Sequence, residues 1–122
     1  MDKKTVRDVS VCNRRVLVRV DFNVPINVET GEITDDSRIR ASLPTIEYLT
    51  SNNARVILCS HLGRPKGKRN PKYSLEPVAK RMSKIIREEI KFAPDCIGQE
   101  VEEMADNLNN SEILLLENLR FY

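Results

Sequence analysis

The chain has no tryptophan, a single histidine and only three cysteines among its 122 residues. One histidine cannot make a paired-histidine metal site, and Cys12, Cys59 and Cys96 have no metal-ligand spacing. An odd cysteine count also argues against a disulfide framework, so free thiols in a reducing compartment are expected. Cys59 falls in an apolar run, where a thiol behaves as a small buried hydrophobe. No apolar stretch approaches the ~20 residues needed to span a bilayer. Met1-Asp2-Lys3-Lys4-Thr5 has no apolar core behind its charges, so it is not a secretory leader. The expected address is the cytosol, with no membrane partner. An excess of one charge is missing too: the formal net charge is +2 although 31% of residues are charged. That balance lacks the broad cationic field of sequence-independent nucleic-acid binding, so any basic site must be local.

What the chain does have is alternation. Four short apolar runs, Val16–Val20, Arg55–Cys59, Ile90–Ala93 and Ile113–Leu116, are separated by stretches of helical period. Leu75, Val78, Ala79, Met82, Ile85 and Ile86 make one helical stripe, with Ser74 as the expected N-cap and Pro77 in the first turn. Val101, Met104, Ala105 and Leu108 make another. Ile39, Leu43, Ile46 and Leu49 predict a helix from about Ser37 to Asn52, in which Pro44 is expected to cause a kink. Pro25 to Asp36, with the turn signal Glu29-Thr30-Gly31-Glu32, reads as a surface loop or small hairpin. Nearly continuous apolar strands alternating with helices predict an α/β fold: a three-layer αβα arrangement on a parallel, Rossmann-like sheet of about four strands and three helices.

In such a sheet ligands bind outside the carboxyl ends of the strands. Ser60-His61-Leu62-Gly63-Arg64-Pro65-Lys66-Gly67 directly follows the second run. It is not a nucleotide P-loop, because Gly63 and Gly67 enclose three residues rather than four and Arg69, not Ser or Thr, follows Lys68. Its glycines are read as positions of positive φ. The same edge collects Asp21 and Asn23 after the first strand and Asn118 and Arg120 after the fourth, with Arg19 near the end of the first strand and Arg38 in the first turn of the first helix. Each has a plain structural reading on its own: an Asx turn at Asp21–Asn23, a satisfied histidine at His61, a solvated charge at Arg120, a solvated loop from Lys66 to Lys72. Charges falling repeatedly after successive strands point together to an anionic ligand, for which arginine's planar fork is suited.

The motifs Arg19-Val20-Asp21-Phe22-Asn23-Val24-Pro25, Arg38-Ile39, Ser60-His61-Leu62-Gly63-Arg64-Pro65, Tyr73-Ser74-Leu75-Glu76-Pro77-Val78-Ala79 and Leu116-Glu117-Asn118-Leu119-Arg120-Phe121 closely resemble phosphoglycerate kinase, in unbroken order from about Val6 to Tyr122. The resemblance implies a two-lobed glycolytic kinase that moves a phosphoryl group reversibly between ATP and 3-phosphoglycerate, with magnesium, giving ADP and 1,3-bisphosphoglycerate. It implies that Asp21 and Asn23 orient the glycerate hydroxyl and carboxylate end, that Arg19, His61, Arg64 and Arg120 hold the 3-phosphate, and that Arg38 is the catalytic residue, bridging carboxylate and migrating phosphoryl. Residues 1–122 would then be part of the amino-terminal, 3-phosphoglycerate-binding domain. The nucleotide-binding carboxyl-terminal domain, which would carry ATP/ADP and Mg, has no counterpart here, so no metal or cofactor site is expected in this segment and the fragment is expected to be inactive alone. The whole enzyme is expected to be a monomer with no nucleic-acid partner. Two other readings stay open: a nonenzymatic phosphometabolite-binding module, and a polyanion- or RNA-binding protein using Lys66 to Lys72. The scarcity of aromatic side chains, with no stacking pattern, weighs against the last.

Overall fold

A computed structural model describes residues 10–27, 29–65 and 67–121. The segment 1–9, Val28, Lys66 and Tyr122 lie outside it, and so do the expectations that fall on them. The elements run in the order β1 (Arg15–Arg19), α1 (Ser37–Ser51), β2 (Arg55–Cys59), α2 (Glu76–Ile86), β3 (Ile90–Phe92), α3 (Gln99–Asp106) and β4 (Ile113–Leu115). Short 3-10 turns at Pro71–Tyr73 and Leu119–Phe121 complete the order.

All strand pairs are parallel, and the spatial order is β1-β2-β4-β3. The path crosses the sheet in one direction from β1 through β2 to β3, skipping a place, and then turns back to lay β4 in the gap. Right-handed crossovers put helices that travel in one direction on one face and a returning helix on the other. The packing follows this rule. Ile39, Ile46 and Leu49 of α1 and Val78, Ala79 and Met82 of α2 bury against Val56, Leu58, Ile113 and Leu115. Val101 of α3 instead joins Cys59, Leu114 and Leu116, with Ile57 packed alongside. Alternate side chains of β2 and β4 thus serve opposite faces, which is why those two strands run almost wholly apolar, whereas β1 leaves Arg15, Leu17 and Arg19 exposed on one side. The three layers and the parallel sheet are as expected.

Local differences have local causes. Helix α2 starts one residue later than the sequence implied: Leu75, not Ser74, is the capping position. Ser74 Oγ still accepts from the Glu76 amide at 3.2 Å, but its hydroxyl donates to Glu117 Oε2 at 2.7 Å. Leu108 is buried but follows the end of α3. α1 is helical on both sides of Pro44, which lies inside it. The Pro25–Asp36 segment is closed by one antiparallel bridge, Ile26 to Ile33, and Ile33 is tucked into the core. Gly63 and Gly67 both have positive φ, +60° and +72°. All three cysteines are free; burial pushes the Cys59 thiol up, consistent with an inert core position. Among the described residues no helix is long and apolar enough to cross a membrane.

Candidate anion-binding site

Three loops leave the carboxyl ends of β1, β2 and β4 side by side. After β1, Phe22 and Val24 are buried and anchor the chain, which leaves Asp21 exposed and Asn23 half-buried between them. After β2, Ser60 is buried and His61 half-buried, while Arg64 is exposed on the far side of Gly63. After β4, the chain makes the 3-10 turn that presents Arg120 to solvent.

Arg38 enters from the second residue of α1. A cation there opposes the positive end of the helix dipole, and the structure shows what offsets it. Its Nη1 donates to the Asn23 carbonyl at 2.6 Å and contacts Asp21 Oδ1 at 3.3 Å. The Nε and Nη2 groups make no hydrogen bond among the described residues, so one edge of the guanidinium fork is open. Arg19, Asp21 and Arg38 line a cleft of about 470 Å³ with Ala41, Ser42 and Thr45.

His61 reports the electrostatics of the edge. Burial is the main cause holding its imidazole below the usual value of 6.5, followed by the positive charge of Arg120; Asp21 opposes, while Arg19 and Arg38 add to the depression. The structure therefore brings Arg19, Asp21, Arg38 and Arg120 within electrostatic reach of His61. Asn23 is tied to the group by accepting the Gly63 amide hydrogen on Oδ1 at 2.9 Å. Arg64 joins it only through its loop. The guanidinium groups of Arg19, Arg64 and Arg120 make no hydrogen bond or ion pair among the described residues. Unpaired cations gathered at one strand edge, beside a histidine whose pKa is lowered by burial and then by their charge, form an electrostatic well that an anion would fill.

An apolar cavity of about 330 Å³ lies beside this edge, not in it. Asn23 and Gly63 line it with Leu62 and Tyr73, but none of the cations named above does. No group of three His, Cys, Asp or Glu among the described residues has the arrangement to hold a metal ion. The basic stretch after Gly67 is less free than its sequence implied. Arg69 donates to the Pro94 carbonyl at 2.9 Å, pairs with Asp95 at 3.0 Å and lies over the Phe121 ring at 5.5 Å. Asn70 caps the turn at Pro71–Tyr73 by accepting from the Lys72 amide. A polyanion site there would have to give up those contacts.

The residues that hold the three loops together were not prominent in the sequence. Ser60 Oγ accepts the Phe22 amide hydrogen at 3.0 Å. Glu117, 4% exposed, accepts from Ser74 Oγ, the Leu75 amide at 2.8 Å and the Asn118 amide at 2.9 Å, so this buried carboxylate is satisfied by donors at the start of α2. Asn118, grouped by sequence with the exposed edge, is fully buried. The only advance signal was position: two polar residues continuing directly from the apolar run Leu114-Leu115-Leu116.

The family model described as phosphoglycerate kinase matches residues 6–122. A curated relative named phosphoglycerate kinase, from Aquifex aeolicus, is 62% identical over 120 residues, covering 98% of this chain and 30% of that protein. One of the same name from Borrelia hermsii is 58% identical over 122 residues, covering the whole chain and 31% of that protein. A crystal structure of phosphoglycerate kinase from Pyrococcus horikoshii superposes with a TM-score of 0.87 at 33% identity, over 96% of this chain and 28% of that one. The Coxiella burnetii enzyme gives 0.81 at 35% identity, over 95% and 28%. The chain thus spans about 30% of the length of the curated relatives it matches.

Proposed function

Because the chain belongs to the phosphoglycerate kinase family, we propose that its cationic strand edge is part of the 3-phosphoglycerate site of an enzyme that transfers a phosphoryl group reversibly between ATP and the glycerate carboxylate in glycolysis. The observation that carries this reading is the set of unpaired arginines around His61. A phosphate monoester dianion is the ligand such a set suits, since planar guanidinium forks match its oxygens.

The roles divide by what each group still has free. Arg19, His61, Arg64 and Arg120 hold the 3-phosphate. Asn23 has its carbonyl oxygen engaged by Gly63, so its Nδ2 is the group available to the substrate's carboxylate end, with Asp21 available to accept from the hydroxyl. Arg38 bridges the carboxylate and the phosphoryl in flight through its open Nε–Nη2 edge, and is the catalytic residue. Phosphoryl transfer asks chiefly for alignment and for neutralisation of charge on the migrating group. The carboxylate is already an anion and needs no general base, so a permanently charged arginine serves better than a titrating side chain. ATP/ADP and Mg supply the phosphoryl donor and its charge neutralisation, and are held by parts of the whole enzyme outside this chain. The whole enzyme acts as a cytosolic monomer, and residues 1–122 alone turn nothing over.

The test is calorimetry of the chain with 3-phosphoglycerate, alongside a coupled kinase assay on the same preparation freed of host enzyme. Saturable glycerate-phosphate binding without turnover is expected. Affinity no greater than for a monoanion such as chloride would sink the glycerate reading, and magnesium-dependent turnover would show that the division of parts is wrong.

A further inference from the structure

The distance between the cations of this edge is set by something, because they repel one another and sit on loops far apart in sequence. We propose that Asn118 is the positioning residue that sets it, a buried amide whose three hydrogen bonds tie the His61–Arg64 loop and the turn ending at Tyr73 to the Arg120 turn. Nδ2 donates to the Leu62 carbonyl at 2.7 Å and to the Tyr73 carbonyl at 2.9 Å. Oδ1 accepts from the Arg120 amide at 3.0 Å. Both amide protons and the carbonyl oxygen are thereby used, and the three backbone groups they join lie immediately next to His61, at Tyr73 and at Arg120 itself. Beside this brace, the Leu119 amide donates to the Ser60 carbonyl at 3.0 Å. The geometry is directional: only a side chain with two donors and one acceptor at this reach satisfies all three groups, and a buried group left unpaired costs about 1–3 kcal/mol. The inference deepens the reading of this edge as the glycerate-phosphate site, and rests on it for its functional meaning. Its structural content stands apart.

The chain's one histidine supplies a single, unambiguous probe. The charged groups that act on it are Arg120, Asp21, Arg19 and Arg38. In NMR titrations of the His61 ring, Arg120→Gln should raise the midpoint, because it removes a repulsive charge. Asn118→Ala should also raise it, by letting Arg120 and the His61 loop drift apart. In the doubly substituted chain, Arg120→Gln should then add little. An equal shift from Arg120→Gln in both backgrounds overturns the proposal, since Arg120 would be held beside His61 without the amide. Should Asn118→Ala fail to fold, Arg120→Gln in the otherwise native chain still decides: an unmoved midpoint means that the spacing attributed to Asn118 is not there. Loss of melting temperature alone, which any buried substitution causes, counts for neither side. Titration of the native chain with 3-phosphoglycerate runs in parallel; absent binding there refutes the glycerate reading while the His61 midpoints still judge the brace.

Discussion

Gly63→Ala is the substitution for which the structure gives the sharpest expectation. Gly63 has φ +60°, and a methyl group built on it would lie 2.5 Å from both Cδ1 and Cε1 of Tyr73. Two costs add. A residue with a Cβ in the left-handed region loses roughly 1–2 kcal/mol, and forcing a methyl into occupied space costs about 1–3 kcal/mol where the neighbour cannot yield. The Tyr73 ring can yield only in part: its backbone carbonyl is held by Asn118, and Lys72 lies over the ring at 5.6 Å. The sum is about 2–5 kcal/mol, or a fall in melting temperature of roughly 8–20 °C for a domain of this size. The Gly63 amide is also the donor to Asn23, so 3-phosphoglycerate affinity should fall along with stability. A double-mutant cycle with Tyr73→Ala separates the two costs by urea unfolding. Removing the ring should relieve the clash and leave only the backbone part, so Gly63→Ala should cost about 1–2 kcal/mol in that background. Equal destabilisation with and without the ring would refute the close-packing argument.

Three further outcomes follow from the charge arrangement. Sulfate, which stays doubly charged across the range, should bind more tightly as pH falls: the free-state His61 midpoint lies below 6.5, a bound dianion raises it, and affinity therefore grows as pH falls from the bound-state midpoint to the free-state one. His61→Gln should flatten that dependence in an isothermal titration series, and an unchanged slope would remove His61 from the site. Arg38→Ala, placed in a full-length enzyme carrying this segment, should depress kcat far more than it raises KM, because its contact is strongest with the migrating phosphoryl; a rise in KM alone would move Arg38 into the ground-state binding set. Arg64→Ala and Arg120→Ala should each weaken 3-phosphoglycerate binding and lessen its competition by sulfate, and unchanged calorimetric affinity in both would dismiss the phosphate-holding assignment.

Most of the fold was legible because its signals are local. Arg55–Cys59 was read at its exact bounds, and the stripe from Leu75 to Ile86 declared α2 by its period. The placement of β4 between β2 and β3 was not legible. Ile113–Leu115 is apolar and buried on both sides, so it carries no mark of its neighbours, and the reversal that puts α3 on the other face is a property of the whole path. The cations of the candidate site were visible because they recur after successive strands. The brace was not, since Ser60 and Asn118 are short polar residues of the kind that also fill exposed turns. Their burial is decided by bonds to Phe22 and Leu62, 38 and 56 positions away along the chain.

The reversal at β4 also dictates the order in which the sheet can be completed. Of the four strands described, β4 comes last in the chain yet lies inside the sheet. Among these four strands, until Ile113–Leu115 emerges β3 has no partner, and β2 is paired on one side only. Closing that gap demands contacts such as Val56 with Ile113, which must bring together segments separated by α2, β3 and α3. Pairings of such long sequence separation come late and slowly, because loop-closure entropy is spent before any contact compensates for it. The same residues that seat β4 lead into Glu117, Asn118 and Arg120, so pairing β4 also delivers the Arg120 turn to the edge that the loops after β1 and β2 have begun.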